Sequence, residues 1–238
     1  MFKSIVVLTG AGISAESGLQ TFRGEGGLWR NFRAEQLATP EAFNTNPELV
    51  LEFYNERRRQ LLAAEIQPNP AHLALARLES EVGDALTLVT QNVDNLHEKA
   101  GSRRVLHMHG ELLRMRCDHC GHVVKQHDDF FASDTCGQCD TMGRLRPDVV
   151  WFGEMPHFMQ RIMAALQQSD VFIAVGTSGN VYPAAGFVEI ARRAGAHTIE
   201  LNPEPSRQPN DFVEHRCGAA GELLPPLVDE LVGQASKS

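Results

Sequence analysis

The 238-residue sequence lacks any run approaching the roughly 20 consecutive apolar residues that a bilayer span requires. Before its first glycines it offers one Lys and the four-residue run Ile5-Val6-Val7-Leu8, too short for the apolar heart of a secretory signal. Positive charge is also in short supply. Lys and Arg number 22 against 30 Asp and Glu, a formal charge of −8. Phosphate contacts need a basic face, so a general nucleic-acid binder is disfavoured, while a basic partner such as a lysine-bearing protein segment suits the balance. Cysteine is scarce too, with five residues, but four of them sit in two close pairs. In a reducing compartment such pairs indicate a metal rather than disulfides. The expectation is a cytoplasmic protein with neither a membrane nor a nucleic-acid partner, and no internal repeat or low-complexity segment interrupts it.

What is present is ordinary for a globular chain, with 42% hydrophobic and 22% charged residues. Continuous apolar runs at 5–8, 86–90, 149–152, 171–175 and 198–201 read as strands buried on both faces of a parallel sheet. Stretches 71–82 and 184–194 read as crossover helices. This alternation predicts an α/β fold with a doubly wound parallel sheet. Two segments break it. Residues 25–70 hold a turn-rich stretch and one amphipathic helix, with Asn46 as N-cap and Pro47 at its first position, extending to about residue 65. Residues 111–147 hold the paired cysteines and few aliphatics. Both are expected to be insertions that together form a small second domain, helical in 25–70 and zinc-bearing in 111–147. The large domain is then 1–24, 71–110 and 148–238. Residues beyond about Gly233 read as a frayed end.

Cys117-x-x-Cys120 and Cys136-x-x-Cys139, fifteen residues apart, match the spacing of a four-thiolate zinc site. Four thiolates leave no open coordination position, so the ion is structural. Gly121 and Gly137 suit the knuckle turns. Acidic Asp118, Asp128, Asp129 and Asp134 in the same stretch argue against nucleic acid as its target. Cys217 stands alone and reads as a buried free thiol.

The stretch GAGISAESGLQTFR at 10–23 fits G-x-G-x-x-A directly after a strand, an arrangement that offers backbone N–H groups to a pyrophosphate. By itself the motif is weak, since a glycine-rich turn without a ligand looks the same. Further polar motifs follow the apolar runs: TQNVDNLH at 90–97, MHGEL at 108–112, FGE at 152–154, GTS at 176–178 and LNPE at 201–204. The carboxyl ends of strands are where open α/β sheets bind ligands.

Together with the cysteine pairs, VVWFGE and VGTSGNVYP, these motifs in this order resemble the sirtuin, or Sir2, family. The resemblance covers nearly the whole chain. It implies a Rossmann-like large domain, a small zinc-ribbon plus helical domain, and NAD-dependent removal of acyl groups from protein lysines. It implies that NAD is held for cleavage of its nicotinamide–ribose bond, with nicotinamide and O-acyl-ADP-ribose as products. Carried over by motif, the NAD site comprises Gly10, Ala11, Gly12, Ile13, Glu16, Phe22, Arg23, Trp29, Gln91, Asn92, Val93, Asp94, Gly176, Thr177, Ser178, Asn202, Pro203, Glu204 and Ala220. His109 is implied as general base, with Asn92 and Asp94 holding ribose and carboxamide; His97 is read as structural. Neutral-pH base chemistry suits an imidazole with a pKa near 6.5, but ten histidines are present and only the His-Gly-Glu context selects this one. The acyl-lysine substrate is implied to lie as an extended strand between Gly153-Glu154 and Gly179-Asn180-Val181, with Val150, Trp151 and Phe152 shaping its tunnel.

Tyr54 and Arg57 are three apart on the predicted helix and share a face. They resemble the pair that marks the sirtuin class with a carboxylate-accepting acyl pocket. An Arg fork and a Tyr hydroxyl are matched to a succinyl or malonyl terminus. The competing reading is a solvated helix face, because Arg58 and Arg59 follow. Two other functions stay open: ADP-ribosyl transfer to protein, and a non-catalytic NAD- or ADP-ribose-binding module.

Overall fold

The computed structural model describes residues 4–20, 36–204 and 212–235. Phe22, Arg23 and Trp29 lie outside them. Six parallel strands form the main sheet: β1 (Ile5–Thr9), β2 (Leu86–Thr90), β3 (Val105–His107), β7 (Val171–Val175), β8 (His197–Asn202) and β9 (Glu214–Cys217). Their spatial order is β3-β2-β1-β7-β8-β9, so the winding reverses between β1 and β7. That is the doubly wound order in which ligands bind at the reversal point, beyond the carboxyl ends of the strands.

Alternate residues of β1 explain why its run is continuously apolar. Ile5 and Val7 join a core with α4 (Pro70–Val82) and α8 (Ala220–Ala235) on one face. Val6 and Leu8 join another with α6 (Met159–Leu166) and α7 (Phe187–Arg193) on the opposite face. Both faces are dry, so neither needs polar positions.

A second, antiparallel sheet of order β5-β4-β6 holds β4 (Gly110–Cys117), β5 (Val123–Lys125) and β6 (Leu145–Val149). Its core is shared with α2 (Pro40–Thr45) and α3 (Pro47–Leu61) and contains Tyr54, Trp151, Cys117 and Cys136. Asn46 caps α3 by accepting from Leu49 N–H, with Pro47 at the first turn as expected. The helix ends at Leu61, four residues before the predicted limit. Two short helices, α1 (Gly12–Ala15) and α5 (Leu96–Ala100), follow β1 and β2.

Three expectations need correction. The run 149–152 is no strand of the main sheet: Val149 ends β6, and 151–154 turn back on themselves, the Glu154 N–H donating to the Trp151 carbonyl. Its apolar character comes from Trp151, buried in the core around α3, while Phe152 is exposed. Cys217 is exposed at the sheet edge rather than buried. The C-terminal helix persists through Ala235, past Gly233.

Candidate functional site

The loops beyond β1, β2, β7 and β8 are stitched to one another by backbone hydrogen bonds. Gly10 N–H donates to the Val175 carbonyl (2.9 Å), Gly12 N–H to Gly176 (2.9 Å), Gln91 N–H to Thr9 (2.9 Å) and Gly176 N–H to Leu201 (3.0 Å). The glycines are required by this closeness. A Cβ on Gly176, at φ +61°, would lie 2.4 Å from the Ile13 nitrogen, and one on Gly12 would lie 2.7 Å from Gly176 Cα. Backbone is thereby left bare at the reversal point, as a close-fitting pyrophosphate site needs.

Buried side chains tie this loop to the one after β2. Asn92 Nδ2 donates to the Gly10 carbonyl and to Ser14 Oγ, both at 3.1 Å. Ser14 Oγ donates to Asp94 Oδ2 at 3.0 Å, and Leu96 N–H to Asp94 Oδ1 at 3.1 Å. Burial raises the Asp94 carboxyl above the ordinary carboxylate range, and these two hydrogen bonds oppose the rise. Ser14 is a member of the cluster that sequence reasoning missed; its place in the glycine motif, two residues after Gly12, was the available signal.

His109 Nδ1 lies 3.0 Å from the Gln91 carbonyl, which can only accept. Nδ1 therefore carries the hydrogen and Nε2 presents a lone pair. Burial lowers the His109 pKa; the Gln91 bond works against that, and His157 adds to it. His107 differs. Its Nδ1 faces the Asn92 carbonyl (3.3 Å) and its Nε2 faces Glu98 (2.8 Å). Burial disfavours its charge, yet Glu98 raises the pKa overall, and both ring nitrogens face acceptors, so neither offers a free lone pair as His109 Nε2 does. His97 is buried, with its Nε2 3.0 Å from Thr9 Oγ1.

On the other side of β7, Asn202 Nδ2 donates to the Thr177 carbonyl and to Glu200, both at 2.9 Å. Asn202 is thus brought to the Gly176-Thr177 loop. Ser178 Oγ accepts from Asn180 N–H (3.4 Å), shaping the Gly179 turn. The Glu16 carboxylate is spent within the protein, accepting from Gly221 N–H (2.8 Å) at the start of α8, beside buried Ala220.

The four sulfurs of Cys117, Cys120, Cys136 and Cys139 lie within 4.8 Å of one another. Cys117–Cys139 and Cys120–Cys136 are each separated by 3.8 Å. A tetrahedron with Zn–S bonds of about 2.3 Å has edges of about 3.8 Å, so the cysteines are placed to hold one zinc ion. Each knuckle closes by an N–H four residues on, from Gly121 to Cys117 and from Asp140 to Cys136. Gly121 (φ +74°) and Asp140 (φ +55°) take the left-handed positions, so the second turn uses Asp140 where Gly137 was expected.

Tyr54 is buried and accepts from the Trp151 indole N–H at 2.9 Å. Arg57 is 18% exposed, stacks its guanidinium 4.9 Å from the Phe53 ring, and donates through Nη1 to Gln60 at 3.2 Å. Its Nε is buried with no partner among the described residues. Arg58 is fully buried beneath Phe130 and Asn55, Arg59 makes a surface ion pair with Asp129 at 2.8 Å, and Arg57 Nη2 lies 3.8 Å from the exposed Glu56 carboxylate. The solvated-face reading of this charge run does not hold for Tyr54, Arg57 or Arg58. The Glu154 carboxylate is engaged within the protein, accepting from Arg146 (2.7 and 2.9 Å), Arg116 (3.2 Å) and Trp151 N–H (2.8 Å).

The pattern that defines the Sir2 family matches residues 10–183. The chain belongs to the Sir2 family. Beside this Sir2 protein stands an NAD-dependent protein deacylase of Vibrio cholerae, 54% identical over 237 residues, covering 100% of this chain and 96% of its own. One of the same name from Shigella flexneri is 57% identical over 228 residues, covering 96% and 84%. A solved Sir2 homologue in complex with NAD superposes with a TM-score of 0.87 at 41% identity, covering 98% of this chain and 91% of that one. A Sir2 mutant bound to ADP-ribose gives 0.89 at 41%, covering 99% and 94%. Among the described residues of this Sir2 chain, no helix is long and apolar enough to cross a membrane.

Proposed function

We propose that this Sir2 protein is an NAD-dependent protein lysine deacylase whose pocket takes succinyl and malonyl groups as well as acetyl. The observation that carries the acyl preference is the buried, unpartnered Arg57 Nε one helical turn from the buried Tyr54 hydroxyl. A guanidinium N–H left without an acceptor in a dry site is costly, and an acyl carboxylate supplies the acceptor. The deacylase names of relatives covering the whole chain, and the NAD and ADP-ribose complexes of its structural neighbours, support the reaction class.

Bound NAD supplies a ribose–nicotinamide bond whose base leaves as a neutral molecule. The roles proposed for this chain's residues are those that the family resemblance implies, and their surroundings are compatible with them. Gly10, Ala11, Gly12, Ile13 and Gly176 line the pyrophosphate end with bare backbone. Thr177, Ser178, Asn202, Pro203, Glu204 and Ala220 serve the adenosine half. Gln91, Asn92, Val93 and Asp94 fix ribose and carboxamide, Asn92 and Asp94 being preset by Ser14. His109 takes a proton at Nε2, its ring held by the Gln91 carbonyl. The peptide lies between 153–154 and 179–181 and is bound through backbone, which gives affinity with little sequence choice. A structural neighbour bound to a myristoylated histone peptide, 34% identical with a TM-score of 0.75, supports an acylated protein segment as substrate. We assign insertions 25–70 and 111–147 to one small lobe carrying α3 and the zinc, and the protein to the cytoplasm.

The test is mass spectrometry of paired acetyl-lysine and succinyl-lysine peptides, with and without NAD, using wild type and Arg57→Met. NAD-dependent loss of both groups, with succinyl loss alone collapsing in the variant, supports the full reading. Loss of acetyl only returns Tyr54 and Arg57 to a structural role. Loss of neither, with labelled ADP-ribose retained on protein, points to ADP-ribosyl transfer.

A further inference from the structure

A chain of contacts runs from the base of the zinc knuckle to the Tyr54 hydroxyl. Arg146, 1% exposed on β6, forms a two-pronged ion pair with Glu154. The same guanidinium lies 3.2 Å from the centroid of the Trp151 ring. Glu154 in turn accepts from the Trp151 backbone N–H at 2.8 Å. Trp151 is therefore held at both its backbone and its ring face, and Phe43 packs on it at 5.4 Å between centroids. From this fixed position its indole N–H donates to Tyr54 at 2.9 Å.

That last bond has a chemical consequence. An indole N–H is a donor only, so Tyr54 must be the acceptor in this pair. A phenol keeps its hydrogen close to the ring plane, on one side of the oxygen or the other. A donor on one side drives the hydrogen to the other. Among the described residues no acceptor is present for it. We propose that Trp151 is a specificity-positioning residue: clamped by Arg146 and Glu154, it occupies the acceptor side of the Tyr54 hydroxyl and commits the hydroxyl hydrogen to the carboxylate of an acidic acyl group. The inference rests on the acyl-pocket reading above. Burial, which raises the Tyr54 pKa well beyond its ordinary value, is consistent with a hydroxyl that stays a neutral donor beside an anion. An acetyl group has no carboxylate to receive the hydrogen, so the arrangement acts on the choice between acyl groups.

The test compares kcat and KM for succinyl-lysine and acetyl-lysine peptides in wild type, Trp151→Phe, Tyr54→Phe and the double variant. Trp151→Phe keeps an aromatic ring over Arg146 and removes the donor, together with some buried ring volume whose loss bears on both peptides alike. The succinyl-to-acetyl ratio of kcat/KM is expected to fall about tenfold, through KM for the succinyl peptide. Tyr54→Phe is expected to lower the same ratio, and Trp151→Phe to add nothing further in its background, because its only route runs through the missing hydroxyl. Equal losses on both peptides, or losses that add in the double variant, overturn the proposal while leaving the pocket reading intact. A wild type that does not remove succinyl groups, or whose succinyl activity ignores Arg57→Met, overturns both. An Arg146→Met variant supplies a second check. It frees Trp151 and Glu154 together and is expected to lower the ratio in the same direction; a raised ratio contradicts the clamp.

Discussion

The Gln91 carbonyl oxygen holds His109 Nδ1 at 3.0 Å and so leaves Nε2 as the ring's proton acceptor. Burial, reinforced by His157, lowers the His109 pKa below its usual 6.5. A base must be neutral to act, so kcat/KM should hold its plateau further into acid than an ordinary imidazole allows. His109→Ala should cost about 10²- to 10⁴-fold in kcat. Removing the neighbouring imidazole by His157→Gln should move the acid limb of the profile to higher pH. A limb that stays in place would take His157 out of the electrostatics of the base.

The contact between Gly176 and Ile13 admits no side chain. Gly176→Ala meets backbone at 2.4 Å and must also hold φ +61°. Gly195→Ala meets nothing within 4 Å at φ +92° and bears only the conformational cost. Overpacking and strain each cost about 1–3 kcal/mol, and 1 kcal/mol shifts Tm by about 2–4 °C at this size. Thermal melts should therefore fall by roughly 5 °C or more for Gly176→Ala and about half that for Gly195→Ala. Titration with NAD should be weakened only by the former.

The winding of the main sheet was legible because β1, β2, β7 and β8 are buried on both faces and read as unbroken apolar runs. The short edge strands β3 and β9 gave no such signal, since His107, Glu214 and Arg216 break their runs and find partners in Glu98, His197 and Glu230. Helix α8 was hidden by Pro225 and Pro226, which argue against a helix from sequence. Packing of Leu224, Leu227, Val228 and Leu231 against the sheet and α4 outweighs that local cost. The zinc spacing was plain because two C-x-x-C pairs leave few other readings. The Arg57–Arg59 run was not legible from charge alone, because an Arg buried over Phe130 looks the same in sequence as one in water.

Zinc removal should reach the proposed acyl pocket, because Cys117 and Cys136 are buried in the same core as Tyr54 and Trp151. Elemental analysis should find one zinc per chain. Cys120→Ser should lose it, since three thiolates no longer close the site. Structural zinc is worth about 10 kcal/mol or more in isolated fingers, so Tm should drop by at least roughly 10 °C even if much of that is recovered. Near-ultraviolet circular dichroism, which reports on Trp151 and Tyr54, should weaken in parallel. Full zinc content in Cys120→Ser would contradict the four-thiolate set.

Burial makes ionisation of Asp94 costly in the folded state. Its pKa is raised by burial, so the folded state holds its proton more tightly than the unfolded chain does. Stability from this group is greatest in acid and declines as pH rises through the folded value. At neutral pH Asp94→Asn, similar in shape, should raise Tm by about 2–4 °C if it relieves about 1 kcal/mol, while activity should fall, because one of the two acceptor oxygens at the proposed carboxamide site becomes an NH₂ donor. A variant that loses both stability and activity would mean that Ser14 and Leu96 more than offset the burial.

His72 works in the opposite direction in acid. Its Nδ1 accepts from Asn69 N–H at 3.4 Å, its Nε2 is buried with no partner among the described residues, and its ring packs on that of His97 at 5.0 Å. Burial lowers its pKa to about 4, with Glu98 opposing. Between pH 6.5 and about 4 the unfolded chain therefore binds the proton that the folded chain refuses, and stability falls as the solution is acidified. At pH 5 this amounts to about 2 kcal/mol from His72 alone. His97, held neutral by burial, adds in the same direction, and His107, whose pKa is raised, subtracts. Gln at the third helical position can still accept from the N-cap N–H, so His72→Gln keeps the capping box without the titration. Urea melts at pH 7.5 and pH 5 should show the pH dependence shrinking by about 2 kcal/mol in this variant. The effect bears on the active site because Asn69 also donates to the Ile13 carbonyl (2.7 Å) and to Ser17 (3.0 Å). Acid that loosens the start of α4 thereby releases the glycine loop, and NAD affinity at pH 5 should be retained better by His72→Gln than by wild type.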